Sequence, residues 1–221
     1  MSSEIKIEKN ASEVYQPDSP DDARQVIRSK KDLSGAKLAG YSLNNLNASG
    51  AILRKTDLSG ADLSHCVLVN PNFYRANLHT AAVHNTLFLG GDLVKTSFNN
   101  ANLCDCLLIG VDAQQASFEG AVLHNASFIS ANLQDADFTG ADLTNARLAT
   151  SDVTGADFSD AIFNNTRTLK TNWSKAKVPP STLLKPIIQL SKWAWSALIG
   201  GFLGGISLLI YAIVRKHRTR K

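Results

Sequence analysis

The chain lacks the short signatures that mark common enzyme chemistries. It contains no G-x-S-x-G, no G-x-x-x-x-G-K-[ST], no H-E-x-x-H and no C-x-x-C. No nucleophile elbow, phosphate-binding loop, zinc-protease helix or redox pair is therefore indicated. Cysteine is scarce, with 3 in 221 residues. That is no disulfide framework, and free thiols suit a reducing compartment. Met1-Ser-Ser-Glu opens a polar stretch, so no secretory signal is expected there. Acidic residues are absent from 166–221, which carries eleven basic groups. Helical and strand periodicity are also missing from the middle of the chain, where the apolar pattern fits neither 3.6 nor 2.0 residues per repeat.

The pattern that is present has a period of five. Twenty-seven consecutive fifth positions, Leu33 to Phe163, are apolar or Ala, without an insertion. Most are Leu or Phe; Val83, Val153, Ala48 and Ala113 complete the series. Two residues before each sits a small side chain, usually Ala, as at Ala36, Ala61, Ala101, Ala121 and Ala161. Internal repeats decide architecture before other signals do. A period of five describes a chain that turns a corner every five residues.

The clearest stretch reads Ala131-Asn-Leu-Gln-Asp, Ala136-Asp-Phe-Thr-Gly, Ala141-Asp-Leu-Thr-Asn. It resembles the pentapeptide-repeat family, whose unit is A-(D/N)-(L/F)-(S/T)-X. The resemblance implies an all-β solenoid, a right-handed quadrilateral β-helix with one pentapeptide per face and four per coil. The Leu/Phe and the small residue before it would point inward, and the other three positions outward. About seven coils are expected over 31–168, a rod on the order of 32 Å long at ~4.8 Å per coil. Positions twenty apart would stack, so Phe98, Phe118, Phe138 and Phe158 form an expected structural core column. One coil cannot bury its own apolar residues, so stacked neighbours supply the core. Lys31, Tyr41, Leu46, Pro71 and Val111 depart from the small inward residue, and Leu46 beside Ala48 reads as a volume-conserving exchange. Cys66 and Cys106 take the small inward position two coils apart, about 9.6 Å, beyond disulfide reach. Cys104 points outward.

Before the repeat, residues 1–18 are expected to be disordered. A capping helix is expected over 19–30, with Ser19 as cap, Pro20 in the first turn and Asp21 and Asp22 near the positive dipole end. It would lay Val26 and Ile27 over the first coil and cover an otherwise open edge. After the repeat, 169–192 forms a cap, linker and juxtamembrane segment. Trp173 helps close the last coil, Pro179-Pro180 makes a stiff break, and Ser181 could cap a short helix with Leu183, Leu184, Ile187 and Ile188.

Residues 193–214, WAWSALIGGFLGGISLLIYAIV, contain no charge. As a helix they reach about 33 Å, enough to cross a bilayer. Trp193, Trp195 and Tyr211 lie near the ends as interfacial aromatics, and Arg215 and Lys216 open the basic tail 215–221. A buried core helix is the alternative, disfavoured because a rod offers no groove for so long a segment. Gly200, Gly201, Gly204 and Gly205 form two overlapping G-x-x-x-G pairs, so a homo-oligomer through this helix is a further expectation. Basic residues flank the segment on both sides, so charge does not set its orientation. A cytosolic rod with a translocated tail, single-pass and tail-anchored, avoids exporting the rod.

Charge is segregated along the chain. Residues 31–165 carry seven basic and thirteen acidic groups, whereas 166–221 carry only basic ones. Basic segments beside apolar ones favour anionic membrane surfaces. Aspartates 57, 62, 137, 142, 152 and 157 are the repeat's own outward residues and read as local backbone partners. One constellation invites a metal: His84, Cys104 and His124 lie twenty apart on one face, and rungs ~4.8 Å apart could let neighbours share a soft ion. The bland reading is three exposed polar residues, and no cofactor is expected.

Two functional classes follow. The first is a non-enzymatic, membrane-anchored scaffold that presents a rigid rod to a protein partner, with the bilayer as its second partner. The alternative is a DNA-mimicking topoisomerase-binding protein, as in family members that protect against fluoroquinolones. A net of six negative charges over 31–165 is modest against one per ~1.7 Å of duplex axis. A nucleic-acid partner is not expected.

Overall fold

The computed structural model describes residues 14–29 and 32–177. One α-helix precedes a parallel β-solenoid. Helix α1 is Pro20–Arg28. Ser19 has an extended backbone and its hydroxyl accepts from the Asp22 N–H at 3.2 Å. Pro20 lacks the N–H that a first helical residue would leave unpaired anyway. Ala23, Val26 and Ile27 are buried against the solenoid.

The solenoid repeats every twenty residues. Six strands, β1 Val67–Val69, β2 Leu87–Asp92, β3 Leu107–Asp112, β4 Ser127–Ile129, β5 Arg147–Ala149 and β6 Arg167–Leu169, form one parallel sheet in sequence order. Every register offset in it is twenty residues. The remaining faces are joined by isolated parallel bridges at the same offset, as in Asp57↔Asn77 and Asp62↔Ala82. Four bridged positions per twenty residues make a four-sided coil. Backbone bonds run both ways between coils: Leu58 N–H donates to Asn77 C=O at 2.7 Å, and Asp57 N–H to Ala36 C=O at 2.9 Å.

The expectation of about seven coils is corrected here. The continuous sheet makes about five turns, from Val67 to Leu169. N-terminal to it the same register persists only through single bridges, beginning with Asp32↔Ile52. On the sheet's own face the cause is local. Asn47 Oδ1 accepts from the N–H and hydroxyl of Ser49, closing a turn where the next coil runs extended through Val67–Val69.

The interior is one continuous column. Leu38, Leu58, Phe98, Phe118 and Phe138 are fully buried, with Ala36, Ala61, Ala101 and Ala121 beside them. The rings of Phe98, Phe118, Phe138 and Phe158 stack nearly parallel with centroids 5.1, 4.7 and 4.8 Å apart. That spacing is the strand separation itself. Trp173, in a 3₁₀ turn at Trp173–Lys175, ends the column with its ring 5.0 Å from that of Phe158.

The last residue of most pentapeptides adopts a left-handed backbone, as at Asn45, Asn125 and Gly140. This sharp corner makes the square. Gly91 has a second reason to be glycine. A Cβ there would lie 2.6 Å from Cδ of Pro71, one coil below. The ring of Pro71 is thus accommodated by a bare backbone above it.

The segment just before α1 is held against the solenoid, so the expected disorder of 1–18 does not reach Gln16. The Gln16 amide donates to Lys37 C=O at 2.6 Å and accepts from Lys37 N–H at 2.8 Å. Its side chain thereby imitates one more strand. Arg24 donates to the carbonyls of Ser42 and Asn44 at 3.2 and 3.1 Å. Together they cover the open edge of the first coil. Residues 1–13 lie outside the described residues.

Candidate functional site

The outward Asp or Asn before each central residue serves the backbone. Its Oδ1 accepts from the N–H two residues on, at Asp57–Ser59, Asp62–Ser64, Asp137–Thr139, Asp142–Thr144, Asp152–Thr154 and Asp157–Ser159, between 2.9 and 3.1 Å. These are local turn bonds. The Asp157 carboxyl also accepts from the Ser159 hydroxyl at 2.6 Å and from Lys177 at 2.9 Å. Those bonds, the Ser159 hydroxyl first, hold it down at about 2.

Polar residues at the small inward position follow a second rule. The hydroxyls of Thr56, Thr86, Thr96 and Thr166 donate to the carbonyls of Leu33, Leu63, Phe73 and Leu143, each twenty-three residues earlier, at 2.7 to 2.9 Å. The buried thiols of Cys66 and Cys106 repeat the geometry toward Leu43 and Val83. Burial pushes both thiols up to about 12. All three cysteines are free, and Cys104 is half-buried at the surface.

His84, Cys104 and His124 are half-buried on successive coils. Among the described residues, no group of three or more His, Cys, Asp or Glu side chains could hold a metal ion. Each histidine is engaged elsewhere: His124 Nε2 lies 2.8 Å from Asp142 Oδ2, and His84 Nδ1 3.1 Å from the Asn85 amide. The His84 ring also meets that of His65 edge-on at 5.3 Å.

The expected anchor residues Trp193, Trp195, Tyr211, Arg215 and Lys216 lie outside the described residues. So do the expected packing residues Gly200, Gly201, Gly204 and Gly205. No described helix is long and apolar enough to cross a membrane.

One surface was not anticipated from the sequence. On the face of β1–β6, the outward residues flanking the buried centre are Val67 and Val69, Leu87 and Leu89, Leu107 and Ile109, then Ser127 and Ile129. Parallel pairing stacks them into two rows, apolar through Leu107 in one and through Ile129 in the other. Arg147 and Arg167 end one row, side by side and exposed. An open recess of about 410 Å³ adjoins them, lined by Asp105, Leu107, Asn125, Ser127, Arg147 and Arg167 among others. The signal was available: Val67, Leu87 and Leu107, and Val69, Leu89, Ile109 and Ile129, are apolar outward positions spaced by twenty.

A family model described as "Pentapeptide repeat region" matches residues 81–158. A second, "Pentapeptide repeats (8 copies)", matches 32–70 and 56–90. No curated protein matches the chain. Similar solved structures include HetL, a pentapeptide repeat protein involved in heterocyst differentiation regulation from the cyanobacterium Nostoc sp. strain PCC 7120. It is 23% identical, with 69% of this chain and 87% of that chain covered and a TM-score of 0.36. A trypsin-treated variant of QnrB1, a plasmid-mediated fluoroquinolone resistance protein, is 21% identical, with 76% and 94% covered and a TM-score of 0.39. A pentapeptide repeat protein of the Arabidopsis thaliana thylakoid lumen is 27% identical, with 51% and 70% covered and a TM-score of 0.17. The assignment rests on the family matches, which together run from 32 to 158, and on the twenty-residue register: the chain belongs to the pentapeptide-repeat family.

Proposed function

We propose that the protein is a non-enzymatic scaffold, a rigid four-faced rod that positions a protein partner and is carried at a membrane by residues 193–214. The observation that carries the scaffold is the unbroken twenty-residue register, which gives every outward side chain a fixed address. Solenoids use such extended surfaces for binding. The membrane part rests on 22 uncharged residues followed at once by a basic tail. A cytosolic rod with a short translocated tail is the arrangement that suits a single pass.

The DNA-mimic reading is weaker on this surface. Lys55, Arg75 and Lys95 occupy one corner of three successive coils, and Arg54 and Arg75 both sit 5.2 Å over the Tyr74 ring. A cationic column interrupts the continuous negative charge that a duplex presents.

The test is extraction of the full chain from membranes. Resistance to alkaline carbonate is the expected result. Release by high salt alone would show electrostatic attachment through the basic tail and overturn the anchor. Partner capture from solubilised membranes tests the scaffold, and substitutions on the rod's outward positions should abolish it. A supercoiling assay without inhibition is expected, and strong inhibition would favour the mimic.

A further inference from the structure

One position of the repeat changes character on β4, β5 and β6. It is the outward position just before the buried centre, where Asp142, Asp152 and Asp157 bond their own turns. On these three strands it holds Ser127, Arg147 and Arg167, on successive coils in parallel register. The backbone runs extended there, so the side chains have no turn to bond. Rungs ~4.8 Å apart bring the two arginines side by side, and like charges so placed repel. Neither of the ion pairs among the described residues, His124–Asp142 and Lys177–Asp157, involves them. The Ser127 hydroxyl and the corner amide of Asn145 also lack a side-chain partner among the described residues. Ser127 keeps only 6% of its exposure, a burial that ordinarily demands a hydrogen bond. All four line the open recess of about 410 Å³.

We propose that this recess binds the phosphate of a single phosphomonoester. The four groups all supply donors, and an oxyanion supplies only acceptors. A phosphomonoester carries close to two negative charges at pH 7 and three acceptor oxygens. It therefore neutralises both guanidinium groups, each of which can grip it with two parallel bonds. A carboxylate would leave one of them unbalanced. The far end of the recess limits the ligand to one anionic group. Asp105 lies there, two coils from Asn145 or about 9.6 Å, with its carboxylate held by the Asn125 amide at 3.0 Å. A nucleic-acid strand continuing along the column would bring its next phosphates against that carboxylate. Leu107, beside Asp105, offers an apolar rest for the ligand's carbon skeleton, and the volume falls in the range of small-molecule sites. A small metabolite and a phosphorylated side chain of a partner protein present the same group. The site uses only β3–β6 and does not depend on the membrane reading.

Titration calorimetry of the full chain in neutral detergent tests this, with glycerol 3-phosphate and with a short leucine-containing peptide bearing one phosphoserine. Saturable binding of at least one probe, one per chain, is expected. Tighter binding of the peptide assigns the phosphate to a partner protein, and tighter binding of glycerol 3-phosphate assigns it to a small molecule. Arg147→Gln and Arg167→Gln should each weaken binding about tenfold, as the loss of a charged hydrogen bond does. Arg167→Lys, which keeps the charge but not the paired donors, should fall between. Arg54→Gln, a cation on another face, should change nothing. Saturating ligand should raise the melting temperature of the parent and leave that of Arg147→Gln unmoved; the melts without ligand show that each variant is folded. No saturable binding of either probe at millimolar concentration, equal binding of the unphosphorylated peptide, or an Arg54→Gln loss equal to that of Arg167→Gln would overturn the proposal.

Discussion

Thr96 shows what the small inward position demands of a polar residue. Its hydroxyl is wholly buried and donates to Phe73 C=O at 2.8 Å. That carbonyl also accepts from Ala76 N–H, so it keeps a partner when the hydroxyl is removed. Thr96→Val should therefore lower unfolding free energy by only about 1 kcal/mol, the net value of one hydrogen bond. Chemical denaturation measures it. Asp157 governs a pH effect. Its carboxyl falls from the ordinary 3.8 to about 2 in the folded chain. Its contribution is present in full above 3.8 and is lost as pH falls through about 2. The melting temperature of Asp157→Asn should sit below that of the parent at pH 6, and the gap should close as pH approaches 2. A gap independent of pH would contradict the assigned bonds. The outward aspartates were legible as local backbone partners from their place before the central residue. The carbonyl partners of the buried threonines were not, because they lie one coil and one face away.

At the scale of elements, the aromatic column and the corners set stability. Phe138 is fully buried between Phe118 and Phe158. Phe138→Ala should cost about 3–5 kcal/mol by opening a cavity. Gln134→Ala, on an outward position, should stay within about 0.5 kcal/mol. Gly91 and Gly140 separate sterics from backbone preference. Both have positive φ, but only Gly91 faces a neighbour, Pro71, within contact distance. Gly140→Ala should cost about 1–2 kcal/mol for the left-handed backbone alone, and Gly91→Ala measurably more. Equal losses would show that the Pro71 contact relaxes freely. Helix α1 and the five-residue phase could be read from the sequence, because capping residues and core spacing are local signals. The role of Gln16 could not: a side-chain amide imitating a strand depends on which backbone edge lies open in space. The ring orientations in the histidine ladder could not be read for a related reason. Register placed His84, Cys104 and His124 on one face, but neighbours such as Asp142 decide where each ring points.

Across the whole molecule, the five-residue period becomes a length. Residues one hundred apart in the chain lie five coils apart along the axis, whatever the local sequence between them. The apolar face arises only at this scale, since no single pentapeptide among Val67–Val69, Leu87–Asp92 or Leu107–Asp112 announces it alone. The same scale separates the acidic repeat from the basic end, which begins with Arg167 and Lys170. A scaffold requires that the rod be stiff and its surface addresses fixed. The most direct measurement is the distance between spin labels at Arg54→Cys and Thr154→Cys, with Cys104→Ser in the background. Both sites follow central residues on one face, five coils apart. The account predicts a single narrow distribution near 24 Å between backbones, set by ~4.8 Å per coil. A broad distribution, or a mean far from that value, would contradict a continuous rigid solenoid.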